Sequence, residues 1–148
     1  MAAGMLAVAA PLLNSCSYSY DILAVAKQGR VAFVVDPRSD HQPHCVRRVE
    51  LTSDESTPSE ASSKGQPIAS DVAWLDSVDY DDASANRFPL TYGQSLRGRH
   101  RPEDYRFAAR SLQFERVYDI LTTTGATGYG GGRFVVHRNG RIENLPRY

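Results

Sequence analysis

Two short apolar runs face each other across a glycine turn near the start of the chain. Asp21-Ile22-Leu23-Ala24-Val25-Ala26-Lys27 and Arg30-Val31-Ala32-Phe33-Val34-Val35-Asp36 flank Gln28-Gly29. A two-residue link containing Gly is a hairpin signal, because it tolerates the positive φ such turns need. Pairing outward from the turn sets Ala26, Val31, Ala24, Phe33, Ile22 and Val35 on one face. All are apolar, so that face is expected to be buried. The other face carries Leu23, Val25, Ala32 and Val34 in the middle and charges at both ends. This hairpin wants cover on both sides.

Further along, alternation continues to favour strands. Cys45 to Thr52 reads as a half-exposed strand with Val49 and Leu51 inward. Val72 to Leu75 is a short strand centred on Trp74, the sole tryptophan and an expected core anchor. Phe88 to Gly93 reads as a short strand and turn. Val117 to Thr124 is rich in β-branched and aromatic types and predicts a strong strand. Arg133 to Arg138 and Arg141 to Leu145 flank Asn139-Gly140, the strongest short hairpin signal. Between these elements, 53–67 is nearly devoid of apolar residues and predicts a flexible loop. Asp76 to Asn86 is acidic and turn-rich, and Gly125 to Gly132 reads as a flexible glycine loop. Pro102-Glu103-Asp104 predicts at most a short helix start. Regular turns without a long helix predict an all-β fold, an antiparallel immunoglobulin-like β-sandwich.

The first stretch of the chain behaves differently. Met1 to Leu13 has no charge, and the first charged residue is Asp21. Thirteen residues are too few for a membrane-spanning helix, which needs about 20. They suit the apolar region of a signal peptide, with Asn14 and Ser15 as the small polar end that peptidases accept. No Lys or Arg precedes Cys16, which would fit a true start upstream of Met1. Leu13-Asn14-Ser15-Cys16 resembles the lipobox of bacterial lipoproteins, departing from it at Asn14. That resemblance implies lipidation of Cys16, with residues 1–15 a helical signal segment and 16–148 the mature domain. A lipobox cysteine carries a diacylglycerol and usually a third acyl chain. More than one chain is what stable anchoring requires. Ser17, and no Asp, follows the cysteine. The resemblance then implies an outer-membrane, periplasm-facing location. The competing reading is a cytoplasmic protein whose N-terminus is a buried helix.

A wider resemblance rests on Ser15-Cys16, Tyr20 to Val25, Gly29-Arg30-Val31 and Val35-Asp36-Pro37-Arg38. With these the chain resembles small lipoproteins of sphingomonad-type alphaproteobacteria. Pro89-Leu90-Thr91-Tyr92-Gly93, Tyr118-Asp119-Ile120 and Gly132-Arg133-Phe134-Val135-Val136 are similar to stretches of fibronectin type III or immunoglobulin-like sandwiches. These resemblances imply a location and a fold. They imply no activity.

Composition adds two constraints. The chain has 148 residues and 41% hydrophobic content, enough for one domain with one core. Its net charge is zero, yet residues 1–86 hold 12 acids and 6 bases while 87–148 hold 5 acids and 11 bases. The simpler consequence is that the two halves attract each other within one fold. There are two cysteines, Cys16 and Cys45. Lipidation of Cys16 would leave Cys45 without a partner, whereas an exported chain without lipid could join them in a disulfide.

Candidate chemistry is sparse. His41, His44 and Cys45 have metal-ligand side chains, and Asp40 could add an oxygen. They lie in a Pro-containing loop without a fixed fourth ligand, so a solvated loop is the default. Cys45 with a histidine could form a nucleophile pair, but nothing positions a third group. Asp76, Asp79, Asp81 and Asp82 lack the spacing of a calcium loop. The glycine loop lacks the Lys of a phosphate-binding loop. Arg97, Arg99, Arg101, Arg106 and Arg110, with Tyr105 and Phe107, form a candidate anion-contact surface for envelope components, not for nucleic acid. The default is that these arginines pair with the acidic first half. The leading functional expectation is a lipid-anchored, non-catalytic binding or structural module with no cofactor. The alternative is a metal-dependent hydrolase at His41, His44 and Cys45.

Overall fold

A computed structural model describes residues 16–54, 71–100 and 105–147. The proposed signal segment 1–15, most of the loop 53–67, Arg101 and the helix start at Pro102 lie outside the described residues. The elements are β1 (Tyr18–Lys27), β2 (Arg30–Val35), β3 (Arg48–Ser53), β4 (Val72–Ser77), a 3-10 helix (Tyr80–Ala85), β5 (Leu90–Thr91), β6 (Val117–Thr124), β7 (Gly128–Val136) and β8 (Ile142–Leu145).

The first hairpin forms in the expected register, with Lys27 opposite Arg30 and Ala24 opposite Phe33. Gln28 and Gly29 both have positive φ, 50° and 75°. Two positive φ values match the turn's twist to that of the strands it joins. Of the face expected to be buried, Ile22, Ala24 and Phe33 are buried and Val31 and Val35 half-buried, while Ala26, next to the turn, is exposed. β6 spans the expected residues, and β7 and β8 pair across the Asn139-Gly140 turn from Val136 opposite Ile142 outward.

The all-β class holds, but the arrangement differs from an antiparallel two-sheet sandwich. All eight strands join one curled, mixed sheet that forms a half-barrel, in the order β4-β3-β6-β7-β1-β2-β5 with β8 also on β7. The departure lies in β1, which serves two neighbours in turn. Tyr18 to Asp21 pair in parallel with Gly128 to Gly131 of β7, and Ile22 onward pairs with β2. β8 then takes over the same edge of β7 at Arg133 to Val136. One strand thus carries the hydrogen bonding continuously from the β6–β7 side to the β2–β5 side, and no second sheet separates.

The curl closes over an aromatic core. Phe33 of β2 stacks on Trp74 of β4 at 6.5 Å between ring centroids, although these strands lie towards opposite ends of the sheet. Phe134 meets Phe33 edge-on at 5.6 Å and stacks on Tyr118 at 5.7 Å. On the open side, Leu75 and Phe107 exchange backbone hydrogen bonds of 3.0 and 2.9 Å, and the Arg110 amide donates to the Ala73 carbonyl. The Tyr92 hydroxyl, just past β5, donates to the Arg110 carbonyl at 2.6 Å, with the Ala73 carbonyl at 3.2 Å. Burial pushes the Tyr92 phenol up to about 12, so it stays a donor at any physiological pH.

The glycine run is not a loop. Only 125–127 form a turn, and Gly128 to Gly132 are strand residues bonded to β6 on one side. Glycine is required there because β1 lies close. A Cβ on Gly130 would collide with the Tyr20 ring and the Thr122 hydroxyl, and one on Gly132 with the Ile22 carbonyl. A backbone carbonyl cannot swing aside as a side chain can. Gly132→Ala is expected to lower stability by about 3 kcal/mol or more, as overpacking against fixed backbone does. Urea denaturation beside an exposed control such as Ser19→Ala checks this.

Candidate functional site

Cys16 is exposed, and only Ser17 separates it from β1. The strand begins at Tyr18, three residues earlier than the Asp21 expected from sequence. Its first amide, that of Tyr18, donates to the Thr127 carbonyl at 3.1 Å. The His41 ring lies against the Tyr18 ring at 4.8 Å. The residues directly after Cys16 are therefore fixed to the fold, between the 125–127 turn and the loop that follows β2.

Below this surface runs a chain of hydroxyls. Thr124 donates to the Cys45 carbonyl at 2.6 Å, so it must accept from Tyr20, 2.6 Å away. Tyr20 in turn accepts from Thr122 at 2.9 Å. Burial raises the Tyr20 pKa, with the two threonine hydrogen bonds opposing that shift. This order of donors fixes the phenol in its neutral form.

His41, His44 and Cys45 are not gathered into a ligand set. His41 packs on Tyr18. The His44 carbonyl accepts from the Phe88 amide, and Cys45 forms a backbone bridge with Arg87. Among the described residues no group of three His, Cys, Asp or Glu side chains stands where it could hold a metal ion. No disulfide joins Cys16 and Cys45.

The arginine cluster is drawn against the acidic 76–86 stretch. Asp76 is 3% exposed and accepts from three donors. These are the Ser77 amide at 2.9 Å, the Leu96 amide at 2.8 Å and Arg106 Nε at 2.9 Å. His100 Nδ1 bonds the Ser77 carbonyl at 2.6 Å and lies 3.4 Å from the same carboxylate. The Arg97 amide donates to Asn86 and the Arg99 amide to Asp82. Arg97 and Arg99 thus contribute backbone to this junction while their side chains stay at the exposed surface. Arg110 lies on the strip alongside β4. The opposite charges of the two halves meet here.

Two further clusters had no sequence signal. Where β1 leaves β7, a cleft of about 480 Å³ has Gly131 and Gly132 in its lining. Its charges pair with each other, Arg38 with Asp36 at 2.8 Å and Arg147 with Asp21 at 3.1 Å. The Arg38 hydrogen bonds hold the Asp36 carboxyl below its ordinary range. At the cleft's rim, Asn144 accepts from the Ala24 amide and donates to the Ala24 carbonyl, at 2.7 and 2.9 Å. Its side chain replaces a missing strand there. The second cluster clamps the β7–β8 turn. His137 contacts Glu115 at 2.9 Å and Glu143 at 2.7 Å. The Arg138 amide also donates to Glu115. Glu115 sits at φ 61°, an uncommon conformation for a side-chain-bearing residue.

Among the described residues no helix is long and apolar enough to cross a membrane. Comparison with protein-family models, with curated proteins and with solved structures finds no match.

Two outcomes test this geometry. Asp76→Ala strands the Leu96 and Ser77 amides and leaves Arg106 without its partner. A loss of about 3 kcal/mol is expected, checked by denaturant unfolding. The two glutamates raise the His137 pKa, the Glu143 hydrogen bond first. A raised pKa in the fold contributes stability that is complete below the unfolded histidine value of about 6.5 and is lost as pH rises through the folded value. The stability difference between the wild type and His137→Ala should therefore shrink from pH 5.5 to pH 8.5. Paired unfolding curves across that range would read it.

Proposed function

We propose that this chain is a lipid-anchored envelope domain, acylated at Cys16, that serves as a non-catalytic binding or structural module. The observation that carries the reading is the exposed Cys16, separated from β1 by Ser17 alone. A modified thiol at this position meets no buried surface among the described residues. The lipobox-like Leu13-Asn14-Ser15-Cys16 supplies the chemical reason for choosing this cysteine. Two or more acyl chains would hold the domain stably at a bilayer, where one would not. The periplasmic face of the outer membrane is the location that Ser17 favours.

With so short a tether, the membrane would face the end of the molecule built from Tyr18, His41 and the 125–127 turn. Arg47, whose Nε donates to the Gly125 carbonyl at 2.6 Å, stands at the same end. Arg47 is half-buried, whereas Arg97 and Arg99 are exposed and would be the arginines open to anionic envelope components. The metal-dependent hydrolase remains the second reading, and the scattered placement of His41, His44 and Cys45 gives it no added support.

Metabolic labelling with palmitate decides the matter. Label should enter the wild-type chain and vanish from Cys16→Ser. Mass spectrometry of the membrane fraction should find a mature N-terminus at an acylated Cys16. An intact Met1 with an unmodified Cys16 would sink the proposal.

A further inference from the structure

The end of the molecule opposite Cys16 holds an apolar pocket with a basic rim. β1 has ten residues, which at roughly 3.3 Å each sets its two ends about 30 Å apart. At the far end, a pocket of about 390 Å³ is walled by Ala26, Val31, Leu112, Phe114, Val136 and Ile142, with Arg30 in its lining. It exists because β1 peels away from β7 at Ile22 while β8 continues along that edge. Asn144 pins the gap at Ala24, and beyond the pin the gap widens. Val31, Leu112 and Ile142 pack on the core, so the walls are held in place. Phe114 is 58% exposed, an uncommon position for a phenylalanine, and no described residue covers it.

The charges at this end are one-sided. Lys27 and Arg30 flank the first turn, and Arg138 and Arg141 flank the Asn139-Gly140 turn. The neighbouring acids are already engaged. Glu115 bonds His137 and the Arg138 amide, and Glu143 bonds His137 and Arg141. Lys27, Arg30 and Arg138 are exposed and make no ion pair among the described residues. We propose that this pocket binds a single-chain anionic amphiphile of the fatty-acid class, its acyl chain against Phe114, Leu112 and Ile142 and its carboxylate among the turn cations. The volume is in the range of small-molecule sites, which pair mostly apolar walls with a few polar groups. The acyl chain removes the exposed apolar walls from water, and the carboxylate supplies the negative charge the rim lacks. A bilayer surface cannot enter a pocket of this kind, whereas a free chain can. The inference does not depend on lipidation at Cys16.

The test uses the full chain carrying Cys16→Ser, so that no attached acyl group competes, with laurate below its micellar concentration as the probe. Laurate should shift the amide resonances of Ala26, Gly140 and Ile142 saturably. Dodecyltrimethylammonium, with the same chain and opposite charge, should bind about tenfold more weakly. Phe114→Ser, at an exposed site, should weaken laurate about tenfold without changing thermal unfolding. The pair Arg30→Glu and Arg138→Glu should also weaken laurate while sparing the fold. The proposal fails if laurate gives no saturable shift or shifts residues elsewhere. It fails equally if the cationic chain binds as well, if Phe114→Ser binds normally, or if only an acidic peptide occupies these residues.

Discussion

The structure depends on how closely β1 approaches β7. Gly130 and Gly132 have no side chain because the Tyr20 ring and the Ile22 carbonyl occupy the space a Cβ would take. That approach lets Tyr18 to Asp21 pair in parallel with β7 before the strand turns to β2. The curl, the contact of Phe33 with Trp74 and the gap beside β8 all follow from this one crossing. Glycine in strands is ordinarily a loss of order and packing. Here it is the condition for joining the two sides of the sheet.

Charge makes the second joint. The acidic 76–86 stretch and the arginine-rich segment are far apart in sequence yet meet at Asp76. Its carboxylate collects two backbone amides and a guanidinium in a buried setting. An exposed ion pair contributes little. Asp76 differs because its hydrogen bonds also satisfy amides that would otherwise be buried without partners. The opposite charges of the two halves therefore act at a specific point in the packing. At the surface they meet again, where Arg147 pairs with Asp21 and Arg133 with Asp54.

Local patterns were legible in the sequence and crossings were not. The first hairpin, β6 and the Asn139-Gly140 hairpin could be read because turn chemistry and alternation are written in adjacent residues. The all-β class followed from them. The parallel pairing of Tyr18 with Gly128 could not be read, since no local signal links residues 110 positions apart. For the same reason a glycine run beside a strand read as a loop, and a sandwich was expected where one curled sheet forms. Asn144 and Glu115 act through single side chains bonded to distant backbone, which periodicity does not record. The proposal for Cys16 rests on its neighbours in sequence, whereas the apolar pocket depends on where β1 leaves β7.

The pairing of the first described strand with one of the last has a consequence for how the chain is made. β1 cannot complete its hydrogen bonds until Gly128 to Gly131 are present. Long-range pairing of this kind is slow to form. A chain synthesised N-terminus first therefore holds an unfinished first strand until β7 has been made, and the sheet closes only then.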